Sequence, residues 1–300
     1  MGHDHHHHHH QTERGLIVSI VLNSLITIFQ IVGGFFSGSL ALLSDALHNF
    51  SDVVSLVLSY IASKLVKRKA SYNSTFGYKR AEIIAAFINS ASLIVMAVFL
   101  SIEALERINA PKEINAPVVI VLSVIGILIN GYSAVLLRHQ SKENLNIKAA
   151  YLHLLSDMLA SIAVLASGVI MYAFQIYWID YMLSFILSIY LIIIGYKVLI
   201  KATKMLMLFT PDHIDIQKLI QDVHQFEAIK RLHHIHLWSL NDHELHLEAH
   251  IDCYDNLTLI EFNKVLLEVE NLLKNKYGIN HITLQPEYQK QDAKDYIVQD

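Results

Sequence analysis

The chain has 300 residues, 53% hydrophobic and 17% charged, with a formal net charge of −4 and a mean hydropathy of +0.39. That balance lies outside the range of soluble globular domains and indicates an integral membrane protein, while the net charge says little; no nucleic-acid partner is expected. The single cysteine, Cys253, excludes an internal disulfide and gives no sign of an oxidising compartment.

Residues 1–14 form a histidine-rich head with His3 and His5 to His10, a metal-binding tract by composition that suits a native segment or a purification tag equally. It is expected to be flexible and cytoplasmic. No charged residue then occurs from Gly15 to Ser44, and nearly charge-free runs recur at Ile83 to Ile102, Ile114 to Leu137, Ala149 to Ile179 and Tyr181 to Tyr196. A helix needs about 20 residues to cross the hydrocarbon of a bilayer. The first run extends to Lys64, too long for one helix, and Gly33, Gly34 and Gly38 offer a break. Six spans are expected, at 15–37, 39–63, 80–106, 116–138, 147–173 and 177–199, forming a transmembrane domain over 15–204. The first lengthens directly into the second without a small-residue cleavage site, so it is expected to stay in the membrane rather than leave as a signal peptide.

Spans two and five each carry a histidine and an aspartate four residues apart, His48 with Asp52 and His153 with Asp157. Residues at i and i+4 share one face of a helix. Two such faces turned toward each other would converge two imidazoles and two carboxylates on one point. Ionisable groups at membrane depth cost at least about 2.5 kcal/mol each unless paired or metal-bound. A buried polar pair that only ties helices together explains one copy of this spacing, but two copies favour a metal site. Two imidazoles and two carboxylates without a thiolate suit Zn²⁺, with Cd²⁺ and Co²⁺ as further substrates.

Four protein ligands leave no open position for a catalytic water, so the site reads as a carrier and the protein as no enzyme. His243, Glu244 and His246 lack the spacing of a metalloprotease helix. Metal ligands must lose their protons to bind, so zinc and protons compete, and alternating access would couple zinc export to proton entry. Asn23, Asn89 and Asn130 on other spans are candidates for lining the path or supporting the carboxylates, or for joining helices. Asp45, one turn before His48, is a candidate way station or a marker of the outer mouth.

Orientation follows from basic residues beside the spans. Lys64, Lys67, Arg68, Lys69, Lys79 and Arg80 lie between spans two and three; Arg138, Lys142 and Lys148 lie between four and five; Lys197, Lys201 and Lys204 mark the end of span six. The opposite loops hold Arg107 and Lys112. Both termini are therefore expected in the cytoplasm, with the protein in the cell's inner or plasma membrane.

From residue 211 the composition turns soluble, giving a domain over 211–300. Its pattern predicts a helix from Asp212 to Phe226, strands Arg231 to Leu240 and Glu244 to Tyr254, a helix from Leu257 to Tyr277 ended by Gly278, and a strand from His281 to Gln285. His233, His234, His236, His243, His246 and His250 crowd the hairpin, and most of them suit an exposed, wet sheet face. A three-residue loop at 241–243 sets Ile235 and Leu237 opposite Ala249 and Leu247, with His234 opposite His250. A two-residue loop pairs His233 with His250 instead. The hydrophobic pattern favours the first register.

Several stretches together resemble the cation diffusion facilitator family. They are Ser44-Asp45-Ala46-Leu47-His48-Asn49-Phe50-Ser51-Asp52, Tyr151-Leu152-His153-Leu154-Leu155-Ser156-Asp157, Phe76-Gly77-Tyr78-Lys79-Arg80-Ala81-Glu82, and His233-His234-Ile235-His236-Leu237-Trp238-Ser239-Leu240. The resemblance covers nearly the whole chain. It implies an α-helical membrane protein with a six-helix transmembrane bundle followed by a cytoplasmic ferredoxin-like α+β domain, and a Y-shaped or V-shaped homodimer exchanging Zn²⁺ for protons. It further implies a transport site of His48, Asp52, His153 and Asp157, and a regulatory zinc site in the tail at His233, His250 and Glu287, choosing His233 where the hairpin pattern chooses His234. Some members hold a second site before span three with histidines where this chain has Ser74 and Tyr78. Others pair a basic residue matching Arg80 with an acidic one where this chain has Leu208.

Two other readings compete. One is a membrane-anchored zinc sensor that does not transport, against which the membrane-buried ligands argue. The other, an intramembrane metalloenzyme, needs an open coordination position and a general base that the sequence does not supply.

Overall fold

In the computed structural model of the protein, residues 6–138, 145–291 and 294–298 are described. His3, His5 and Lys142 lie outside them, as do the side chains of His6 to His10. The chain divides into two compact units, one of residues up to Tyr60 with Ala86–Leu199, the other of Ile61–Ala85 with Ile200 onward.

Six helices make up the first unit, α1 (His6–Ser37), α2 (Leu40–Val66), α3 (Ala81–Asn109), α4 (Ala116–Arg138), α5 (Leu145–Phe174) and α6 (Trp178–Leu206), with the last residues of α2, the first of α3 and the last of α6 falling in the second. Among the described residues, five helical segments are long and apolar enough to cross a membrane, Leu40–Val66, Ala81–Asn109, Ala116–Arg138, Tyr151–Phe174 and Trp178–Leu206, and α1 adds the shorter apolar stretch Val21–Ser37. The expected flexible head is corrected in one respect, because α1 begins at His6 and its first turns carry the remaining histidines. In α6 the helix continues past the expected end at 199 to Leu206, taking Lys201 and Lys204 with it.

The break between α1 and α2 falls at Gly38, whose φ of +77° favours glycine. Helix α2 starts directly after this break, and the backbone N–H groups of its first turn have no partner within the helix. Asp180 on α6 meets that need. Its carboxylate accepts from Leu40 N at 2.7 Å, Ala41 N at 3.2 Å and Ser39 Oγ at 2.6 Å.

In the second unit, α7 (Ile216–Val223), β1 (Ile229–Ser239), β2 (Leu245–Cys253), α8 (Leu259–Tyr277) and β3 (His281–Glu287) form an α+β module. The sheet order is β1-β2-β3, antiparallel then parallel, with α8 as the crossover between the parallel strands. Leu219, Val223, Leu232, Leu247, Ile251, Val269, Leu273 and Ile279 are buried together as its core. The first helix is shorter than its amphipathic pattern implies, because Asp215 caps it at Gln217 N and Lys218 N. Thr258 and Glu261 form a capping box on α8, and Gly278 ends that helix in the left-handed conformation.

The hairpin register resolves the alternatives the sequence leaves open. Near the turn, Leu237 pairs with Leu247 and Ser239 with Leu245, the register of a three-residue loop, and Asn241 Oδ1 accepts from His243 N and Glu244 N at 2.8 Å each. Between His233 and His236 the pairing then slips by one residue, so that His233 stands opposite His250. The pattern-based pairing of His234 with His250 is thus overturned by a β-bulge, in which His234 has a φ of +50°.

Candidate metal centres

In the helical unit, His48 and Asp52 on α2 meet His153 and Asp157 on α5. His48 Nε2 lies 3.7 Å from Asp52 Oδ2 and 3.6 Å from Asp157 Oδ1. His153 Nε2 lies 3.1 Å from Asp52 Oδ2 and 3.6 Å from Asp157 Oδ2. A tetrahedron with metal–ligand arms of about 2.0 to 2.1 Å has an edge of about 3.4 Å, close to each of these separations; His48, Asp52 and His153 bring one atom each to a common point, whereas Asp157 turns Oδ1 to His48 and Oδ2 to His153. At 3.6 Å the contacts to Asp157 exceed hydrogen-bond length. Both Asp157 oxygens and His48 Nδ1 are buried without a hydrogen-bond partner. Buried polar atoms in that state suit a cation better than a finished ion pair.

The four side chains differ in access. Asp157 is 1% exposed whereas His153 is 42% exposed, so one end of the cluster is sealed and the other reachable. Beside the sealed end, Asp45 Oδ2 accepts from Gln30 Nε2 and Ser161 Oγ, both at 3.1 Å, tying α1, α2 and α5 together. Asn49 Nδ2 extends this chain to Gln30 Oε1 at 3.4 Å. Gly126 on α4 leaves room for it, since a Cβ there would stand 3.0 Å from Gln30 Nε2 and 3.3 Å from Ser161 Oγ. The sequence reading missed Gln30 and Ser161, which carry no charge to draw the eye in an apolar span. Asn89 reaches Ser51 and Ser55 on α2 at 3.3 and 3.0 Å, and so joins two helices. Asn130 is buried without a partner for either side-chain polar atom.

In the second unit, His233 on β1, His250 on β2 and Glu287 at the end of β3 converge. His233 Nε2 is 3.2 Å from Glu287 Oε2, and His250 Nδ1 is 3.0 Å from Glu287 Oε1. The bulge is what turns His233 toward its partners, because it moves β1 by one residue relative to β2 at this point. His233 is 0% exposed, and its ring meets that of His250 edge to face at 5.4 Å. His234, in the bulge itself, stacks on His250 at 4.5 Å instead. Asp252, aligned with Glu287 in the parallel ladder, has Oδ2 3.9 Å from His233 Nε2. The sequence reading missed Asp252, whose nearness follows from that ladder.

Among the described residues, two groups bring one donor atom from each of three side chains to a common point, His48 with Asp52 and His153, and His233 with His250 and Glu287; Asp157 borders the first group. In the loop before α3, Ser74 Oγ donates to the Gly77 carbonyl at 2.8 Å, so this hydroxyl is engaged with backbone. Leu208, just past the end of α6, carries no charge. His246 lies against His281 at 4.3 Å between ring centres, and burial, reinforced by the His281 charge, holds its imidazole below the usual histidine range.

Residues 16–207 match the family model described as the cation efflux transmembrane domain, and residues 211–289 match that of the cation efflux protein cytoplasmic domain. The chain is 37% identical to a cadmium, cobalt and zinc/H(+)-K(+) antiporter of Bacillus velezensis over 96% of its own length and 92% of that protein. It is 31% identical to the metal cation efflux system protein CzcD of Cupriavidus metallidurans, over 95% of the chain and 89% of that protein. It is also 31% identical to the zinc transporter ZitB of Escherichia coli, over 92% and 88% respectively.

Proposed function

The chain belongs to the cation efflux family, and from that premise we propose that it exports zinc from the cytoplasm in exchange for protons, through alternating access of the site formed by His48, Asp52, His153 and Asp157. The observation that carries this reading is the convergence of four donor side chains from α2 and α5 at separations of 3.1 to 3.7 Å. Two imidazoles supply borderline-soft nitrogen and two carboxylates cancel the dication's charge, a set that also accommodates Cd²⁺ and Co²⁺. Protonating the ligands expels the metal, and deprotonating them readmits it. A cycle that opens the loaded site to one side and the protonated site to the other therefore moves zinc and protons in opposite directions.

The protein works as a homodimer in a lipid bilayer. The basic residues beside the spans, including the Lys64 to Arg80 cluster, support an orientation with the termini and the tail domain in the cytoplasm. There the tail would read cytoplasmic zinc through His233, His250 and Glu287, so that efflux rises when zinc does. A sensor without transport has no use for metal ligands at membrane depth.

The test is zinc entry into sealed, dye-loaded proteoliposomes by the parent protein and by Asp157→Ala. The reading requires a zinc signal from the parent and none from the variant. Equal signals would remove the four-ligand site.

A further inference from the structure

The end of the chain brings a lysine into the tail cluster. Lys294 Nζ lies 2.9 Å from Glu287 Oε2, 3.0 Å from Asp252 Oδ1 and 3.3 Å from His233 Nε2. Lys290 Nζ takes the other Glu287 oxygen at 2.5 Å. Backbone contacts hold the segment in place: His234 N donates to the Asp295 carbonyl at 3.1 Å, Ile235 N donates to the Tyr296 carbonyl at 2.9 Å, and Arg231 Nη1 donates to the Lys294 carbonyl at 3.4 Å. His234 and Ile235 are the two residues of the β-bulge. One local distortion of β1 therefore both aims His233 at Glu287 and anchors the strap that carries Lys294.

We propose that Lys294 is a tethered competitor for the tail metal site, whose ammonium neutralises Glu287 and Asp252 until a divalent cation expels it. This rests on reading His233, His250 and Glu287 as that site. A buried carboxylate such as Glu287 needs a positive partner. A zinc ion among the same donors would sit about 2.0 to 2.2 Å from each, which leaves no room for a second cation touching the same oxygens. Zinc binds only the fraction of molecules in which Lys294 has left, so the apparent dissociation constant is the intrinsic one divided by that fraction. If the lysine is inserted nine-tenths of the time, it weakens zinc binding roughly tenfold. Zinc arrival also loosens the strap from β1, which gives the loaded tail a different surface from the empty one.

The test uses the full-length homodimer in detergent micelles, with hydrogen exchange followed at rising free zinc in peptides spanning the bulge and His250. In the parent, zinc should protect the β2 peptide while the amides of His234 and Ile235 lose protection. Lys294→Met should move the midpoint of β2 protection to roughly tenfold lower zinc. An unchanged midpoint in Lys294→Met, alongside loss of the β2 response in His250→Ala, would overturn the competitor and leave the site standing. Absence of a β2 response in the parent, identical in His250→Ala, would remove the site and the competitor together.

Discussion

His48 reaches Asp157 on the neighbouring helix at 3.6 Å, as near as it comes to Asp52 one turn along its own helix at 3.7 Å. Intrahelical and interhelical partners are thus equivalent, which is what a shared ion requires and what an isolated i, i+4 ion pair does not. Replacing Asp157 or Asp52 by alanine should therefore reduce zinc flux by more than about 100-fold, the upper end of what losing a mere supporting hydrogen bond costs a metal site. Expression and dimerisation should survive, because removing a carboxylate at membrane depth also removes its desolvation cost. Vesicle flux beside size-exclusion profiles checks both halves. Normal flux in either variant would contradict the shared site.

Exchanging His48 for Asp hardens the ligand set from two nitrogens and two oxygens to one and three. Discrimination of zinc against harder ions such as Mn²⁺ should weaken. Competition by Mn²⁺ for zinc uptake measures it, and an unchanged competition curve would show that His48 does not set selectivity.

The tail register separates two adjacent histidines. His233 faces Glu287 at 3.2 Å, whereas His234 stacks on His250 outside the cluster. His233→Ala and His250→Ala should each lower zinc binding by the tail and shift the zinc dependence of transport, with the membrane site still able to load. His234→Ala should change binding by less than either. Zinc titration of the tail, which is expected to fold and dimerise alone as residues 212–300, would contradict the assignment if His234→Ala were the most damaging of the three.

Much of this was legible in the sequence, for identifiable reasons. Long apolar runs and the i, i+4 His/Asp pairs follow directly from bilayer thickness and helix periodicity, and the alternation Ile235, Leu237 against Leu247, Ala249 gave the register near the turn. The slip at His234 was not legible, because a bulge is stabilised by its surroundings, here the carbonyls of Asp295 and Tyr296 some 60 residues away. Asp180 was invisible for the same reason. It caps α2 from α6, a tertiary contact with no local signature.

Acid should loosen the tail through His224. Its Nε2 accepts a hydrogen bond from Leu232 N at 3.0 Å, which requires the unprotonated ring, and burial, followed by the Arg231 charge, holds it below the usual histidine range. The folded tail thus binds fewer protons than the unfolded chain near and below pH 6.5. Stability from this group is complete above that pH and falls as the pH drops through the depressed value. Thermal melts of the metal-free tail from pH 8 to 5 should show a decline that His224→Gln flattens, since an amide oxygen can accept the same bond without titrating. An identical pH slope in the variant would exclude His224 as the source.

Energetic coupling is the central claim, and the most direct measurement imposes a pH difference on proteoliposomes whose transporters face their tails outward. With an acidic interior, protons displace zinc from the site on the inner side, so zinc should accumulate inside against its own gradient. Collapsing the pH difference with an ionophore should stop net accumulation. Zinc that moves only down its own gradient, at a rate indifferent to the pH step, would contradict proton exchange.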